Sequence, residues 1–327
     1  MVEKIIRLER INNNQRIIGD KVARVMITGS TGLLGRAVVK QLKQTDEHLL
    51  IATGFSRAET GIYKLDLTDE EAISEFIGVH QPDVIIHCAA ERRPDISEQS
   101  PEAALALNLG ATGALAKAAK QQGTWLIYIS TDYVFDGTEP SYSEADKPNP
   151  VNFYGESKLQ GEQALLATAS DFAVLRLPIL YGEVEKIEES AVLVLLNQLL
   201  DSTPQNVDNW AVRSPTSTQD IALAIEQMIG LHLKGEDLNG IYHFSAKQTM
   251  SKYQMLLVLA ELFELNSEHL TPISSPMDTA KRPHDCTLSC QRLTELGIAS
   301  QIAFKEGVKE SLVSSQNALS LIGLTLK

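Results

Sequence analysis

Residues 22–42 read Val-Ala-Arg-Val-Met-Ile-Thr-Gly-Ser-Thr-Gly-Leu-Leu-Gly-Arg-Ala-Val-Val-Lys-Gln-Leu. An apolar β-type run (Val22, Val25, Met26, Ile27) meets Gly29, Gly32 and Gly35, and an amphipathic helical pattern then opens, from Leu33 to about Lys43. The strand–turn–helix context raises this glycine spacing above a chance match. Glycines let the backbone turn tightly and come close to a pyrophosphate, and the amides and dipole at the helix start favour its charge. The stretch predicts a dinucleotide site at the end of the first strand of an α/β fold.

Working outward, Leu49–Gly54 reads as the second strand. NAD sites place a carboxylate at its tip for the ribose 2′-hydroxyl. Here the residues are Phe55, Ser56 and Arg57. A hydroxyl and a guanidinium suit a 2′-phosphate, so the expected cofactor is NADP(H). Tyr63–Leu67 reads as a short strand, and Thr68 as the N-cap of a helix over Asp69–Val79. Asp83–Cys88 is a buried strand, followed by the small Ala89 and Ala90 and a charged loop, Glu91–Asp95. Ser100-Pro101-Glu102 starts an alanine-rich helix that ends at Gln122, and Trp125–Ser130 is the next strand. This alternation predicts a doubly wound parallel sheet with helices on both faces, the Rossmann arrangement.

The second half is less regular. Helices are expected over Asn152–Ala167, Ser190–Leu200, Thr218–Ile229, Ser251–Phe263 and Lys305–Ser315, with strands at Phe172–Leu177 and Ile241–Ser245. The expected organisation is an N-terminal extension (1–20), an NADP-binding Rossmann domain (21–177) and a smaller substrate lobe (178–327) that partly returns to the first domain.

The 327 residues carry a formal net charge of −13, which argues against a general nucleic-acid or anionic-membrane surface. Cys88, Cys286 and Cys290 make no disulfide framework, point to a reducing compartment and show no metal-ligand pattern. No apolar run reaches membrane-spanning length and no signal-peptide core opens the chain, so the default location is cytoplasmic. No heptad or apolar stripe announces an interface; a homodimer stays open.

Tyr154-Gly155-Glu156-Ser157-Lys158 is the second informative stretch. Residues four apart share a helix face, so Tyr154 and Lys158 address one site. A phenol is a poor acid at neutral pH, and an ammonium beside it favours phenolate and lowers its pKa. Ser130-Thr131-Asp132, at a strand end, supplies a hydroxyl for a carbonyl oxygen that gains charge, and Thr131 is assigned that role. The set suits proton transfer coupled to hydride transfer.

Together, Thr-Gly-Ser-Thr-Gly-Leu-Leu-Gly (28–35), Ser-Thr-Asp-Tyr-Val-Phe-Asp-Gly (130–137) and Tyr-Gly-Glu-Ser-Lys (154–158) resemble the dTDP-4-dehydrorhamnose reductase family of extended short-chain dehydrogenases/reductases, over roughly residues 22–315. Within it, residues 87–95 and 179–186 are similar to a subgroup, the regulatory β subunits of methionine adenosyltransferase. The resemblance implies NADP contacts at Thr31, Gly32, Leu33 and Leu34, at Phe55, Ser56 and Arg57, at Asp66 and Leu67, and at Cys88, Arg92, Tyr154, Lys158 and Leu180. Asn108 matches a structural asparagine near the lysine, the other reading being an exposed helix polar residue.

Two departures accompany it. The regulatory subunits end in an aromatic and basic tail that engages the catalytic subunit, whereas residues 319–327 read LSLIGLTLK. The sugar-nucleotide reductases lack the Glu91-Arg92-Arg93 loop, and Glu183, Glu185, Glu188 and Glu189 form an acidic run, by default a solvated face. Arg213, Lys281 and Arg282 are candidates for a diphosphate. The leading expectation is NADPH-dependent reduction of the 4-keto group of a nucleotide-linked deoxysugar. The alternative is a non-catalytic NADP-binding subunit partnering a methionine adenosyltransferase.

Overall fold

Strand β1 (Arg24–Thr28) buries Val25, Met26 and Ile27 completely and hydrogen-bonds a neighbour on each side. The computed structural model describes residues 22–276 and 281–325. The expected N-terminal extension, residues 1–20, lies outside them. β2 (Leu49–Gly54) flanks β1 on one side and β4 (Val84–His87) on the other, all parallel. β3 (Tyr63–Lys64), β5 (Trp125–Thr131), β6 (Ala173–Leu177) and β10 (Gly240–His243) complete a seven-stranded parallel sheet of order β10-β6-β5-β4-β1-β2-β3. Strand order reverses at β1, so a crevice opens beyond its carboxyl end, where doubly wound sheets bind ligands.

Helix α1 (Leu33–Thr45) follows β1 and buries Leu34, Gly35, Val38 and Leu42. α2 (Glu70–His80), α3 (Thr112–Gln122), α4 (Phe153–Thr168) and α5 (Thr218–Leu233) cover the sheet faces. α5 packs on α1, and β10 pairs with β6, so the chain beyond Leu177 returns to the large sheet. A second apolar core, built from Val184, Leu193, Leu196, Met255, Leu259, Phe304 and Val308 among others, gathers α6 (Lys252–Phe263) and α7 (Phe304–Ser314) into a smaller lobe. Two small sheets, β7 (Leu180–Tyr181) with β9 (Thr216–Ser217) and β8 (Gln205–Asp208) with β11 (Leu270–Ile273), frame it.

Several local expectations need correction. The cap of α2 is Asp69, whose carboxylate accepts from Ala72 N, because Thr68 is engaged by Asp66 instead. The strand expected over Tyr63–Leu67 ends at Lys64. Ser100 makes no side-chain cap, and the alanine-rich segment is two α-helical pieces joined by a π-turn at Ala106–Ala111. Ser190–Leu200 is not one helix: a 3₁₀ turn at Leu193–Leu195 leads into a single α-turn at Leu196–Leu200. Among the described residues, no helix is long and apolar enough to cross a membrane, and no cluster of His, Cys, Asp and Glu is arranged to hold a metal.

Candidate functional site

A cleft of about 940 Å³ opens at the carboxyl end of the large sheet and runs under the smaller lobe. Its floor is the glycine turn: Gly29, Thr31, Gly32, Leu33, Leu34 and Gly35 line it. Gly29 takes φ +63°, and a Cβ on Gly35 would stand 2.2 Å from the Gly29 carbonyl oxygen. The chain therefore folds back on itself where only glycine fits, and the first turn of α1 comes up to the cleft with no side chain capping it. Bare amides and a backbone cradle suit a pyrophosphate.

Phe55, Ser56, Arg57, Asp66 and Leu67 line the end of the cleft beyond β2. Phe55 is exposed, with the Lys64 ammonium 5.5 Å from its ring centre. Asp66 accepts from the amide and hydroxyl of Thr68 at 2.9 and 2.7 Å, which holds its carboxyl below the usual range. Arg57 is not a free loop charge. It pairs with Glu189, and with Glu185 at 3.4 Å. The acidic run is thus engaged with cations rather than only with solvent, although Glu188 is exposed. Cys88, Ala89, Ala90, Arg92 and Leu180 line the middle of the cleft. Burial pushes the Cys88 thiol up to about 12, so it is a neutral, unreactive wall group.

Thr131, Tyr154 and Lys158 also meet in this cleft. A Cβ on Gly155 would lie 2.1 Å from the Tyr133 carbonyl oxygen, so the start of α4 sits directly on the turn after β5 and carries Tyr154 beside it. Asn152 caps α4 by accepting from Gly155 N at 2.9 Å. Asn108 is fully buried, bonding Glu91 N and O and Ser157 Oγ, which ties the charged loop to the helix bearing Lys158. The reading of Asn108 as an exposed polar residue is therefore set aside.

Burial dominates the electrostatics of this set. Lys158 Nζ donates to Ile129 O at 2.7 Å and sits 4.0 Å from the Tyr128 ring centre. Burial drops its pKa to about 7, with Glu162 acting in the opposite direction. Burial raises the pKa of Tyr154 well above 10, and the Thr131 hydroxyl and Arg92 offset this only in part. Thr131 Oγ1 donates to Asp132 Oδ1 at 3.2 Å and accepts from Tyr133 N. Asp132 is buried, which lifts its carboxyl to about 7 against the pull of Arg213.

Arg213 and Arg282 line the far wall, while Lys281 is exposed outside it. Arg213 is almost fully buried and its Nη2 has no partner. The sequence reading missed a buried network behind the cleft. Glu162 accepts from Ser130 Oγ at 2.5 Å and from Arg176 Nε and Nη2 at 2.9 and 2.6 Å. Glu162 stands one helical turn past Lys158, a spacing that points to the same face and was the available signal.

A doubly wound sheet, a glycine cradle and a Thr–Tyr–Lys set at one cleft define a reductase-like Rossmann protein. The profile of the family described as RmlD substrate binding domain matches residues 23–317, and the chain belongs to that family. It is similar to methionine adenosyltransferase 2 subunit beta of Mus musculus, 48% identical over 291 residues that cover 88% of this chain and 87% of that one. It is also similar to dTDP-4-dehydrorhamnose reductase of Mycolicibacterium smegmatis, 31% identical over 310 residues covering 93% and 89%. A crystal structure of dTDP-4-dehydrorhamnose reductase from Bacillus anthracis in complex with NADP superposes with a TM-score of 0.78 at 26% identity, covering 91% of this chain and all of that one.

Proposed function

We propose that the chain binds NADP(H) in this cleft and serves as a β-type regulatory subunit of a methionine adenosyltransferase. The residues lining the cleft fit the cofactor: the glycine cradle would hold the pyrophosphate, Arg57 and Ser56 the 2′-phosphate, Asp66 and Leu67 the adenosine end, and Tyr154 and Lys158 the nicotinamide ribose. The observation that carries the regulatory reading is the 48% identity to a β subunit across nearly the whole chain, against 31% to a reductase. Mixing the NADPH-loaded chain with a methionine adenosyltransferase catalytic subunit should give a stable complex and altered kinetics. No association at micromolar concentrations would reject this reading.

A second reading is supported by the complete Thr131, Tyr154 and Lys158 set. The substrate would be a nucleotide-linked deoxysugar with a 4-keto group, its diphosphate against Arg213 and Arg282. Bound NADPH supplies a hydride to the carbonyl carbon. Tyr154 would then give its phenolic proton to the carbonyl oxygen, Thr131 would turn its hydroxyl from Asp132 to donate to that oxygen, and Lys158 would orient the ribose. NADPH oxidation dependent on dTDP-4-dehydrorhamnose and abolished by Tyr154→Phe would establish it. Turnover no greater than that of the Tyr154→Phe control would remove it.

A further inference from the structure

The loop that follows β7 crosses from the smaller lobe to the cofactor end of the large sheet. There Glu183, Glu185 and Glu189 meet Arg36 and Lys40 of α1 and Arg57 of the β2 tip. Arg36 binds Glu189 at 2.5 Å, and its other nitrogen donates to the carbonyl of Thr31 in the glycine turn at 2.6 Å. Lys40 binds Glu183 at 2.5 Å. Glu189 also accepts from Glu185 N at 3.1 Å, so the loop is folded around that carboxylate. Burial works against the Glu189 charge, yet hydrogen bonds from Arg36 and Arg57 hold its carboxyl down to about 2. Three cations therefore face three anions, and the guanidinium suited to a 2′-phosphate is already compensated.

We propose that this acidic strap competes with the 2′-phosphate for Arg57, so that Glu185 and Glu189 set the preference between NADP(H) and NAD(H). The inference rests on the cofactor reading above. A dianionic phosphate arriving at Arg57 takes a guanidinium from carboxylates that stay nearby, and like charges a few ångströms apart repel. NAD(H), which lacks that phosphate, meets no such opposition. Glu185 acts at the margin of the cluster: its side chain is 62% exposed, and Arg57 and Arg36 lie 3.4 and 3.7 Å from it. It can be neutralised without disturbing the fold. Glu189, at 14% exposure and with four hydrogen bonds, anchors the loop and is the second position to change.

The test is calorimetric titration of the full chain and of Glu185→Gln with NADPH and, separately, NADH. The expected result is NADPH binding tightened about three- to tenfold, with NADH within about twofold of the original, the size set by a solvent-screened charge pair. Glu189→Gln should shift the NADPH:NADH ratio the same way even where it loosens the loop, because the ratio cancels a loss common to both. If Glu185→Gln weakens NADPH, leaves it unchanged or moves both cofactors equally, the strap does not compete and the proposal is overturned. If the unsubstituted chain binds neither dinucleotide, the cofactor reading fails first and the proposal with it.

Discussion

Gly35 and Lys158 show how single positions carry the site. A methyl group on Gly35 has no room against the Gly29 carbonyl, and the atoms it meets are backbone. Gly35→Ala should cost about 1–3 kcal/mol of stability, the usual penalty of overpacking, and should abolish NADPH binding because α1 can no longer dock on the turn. Denaturant unfolding with a parallel binding titration checks both. Lys158 makes a pH-dependent prediction. Its pKa is about 7 in the folded chain against an ordinary 10.5, so between those values the unfolded state holds the extra proton. Stability from this group therefore rises with pH across that window and is lowest below about pH 7, where folded and unfolded chains are both protonated and the buried charge is carried in full. The wild type should gain stability relative to Lys158→Met between pH 7 and pH 10, read from paired melts; parallel curves would contradict it. The four-residue spacing of Tyr154 and Lys158 was enough to place both in one cleft. It was not enough to show which groups neighbour them, since Ile129 O and the Tyr128 ring come from another element and are set by packing.

Elements position the site through a buried network that joins α4 to β5 and β6. Glu162 and Arg176 are 2% and 0% exposed and face each other across α4 and β6, with Ser130 closing the third side. Arg176→Met should destabilise the chain by about 3–5 kcal/mol, because it strands a buried carboxylate, and Glu162→Gln added to it should restore part of the loss. Urea midpoints of the single and double variants decide this. The inner strands of the large sheet, β1, β4, β5 and β6, were legible because each is a short apolar run between breakers, and α1 and α5 because their apolar periodicity is long; the exposed edge strand β3 carries no such run. The segment Ser190–Leu200 was not. Val192, Leu193, Leu195, Leu196 and Leu199 are buried on several sides by the second core, so their spacing imitates a helix that the chain does not form. The two-residue strands β7 and β9 are too short to carry a period. Their place is fixed by the sheet they close.

At the scale of the molecule, the two apolar cores meet along the cofactor cleft, and the acidic strap bridges its outer end. Leu33, in the first turn of α1, packs against the smaller lobe's core, so the glycine cradle and the lobe are mechanically joined. The strap escaped the sequence reading because a run of glutamates is by default a solvated face, and its partners Arg36, Lys40 and Arg57 lie more than a hundred residues away. A ligand held by both sides should stabilise the whole chain, raising its melting temperature with NADPH concentration as mass action requires. The account stands on the cleft taking NADP(H), and the most direct test is a fluorescence titration of NADPH with the purified chain. Saturable binding of one NADPH per chain, weakened by Arg57→Gln more for NADPH than for NADH, is the predicted result. No saturable binding, or a loss in Arg57→Gln that is equal for both dinucleotides, would contradict the account.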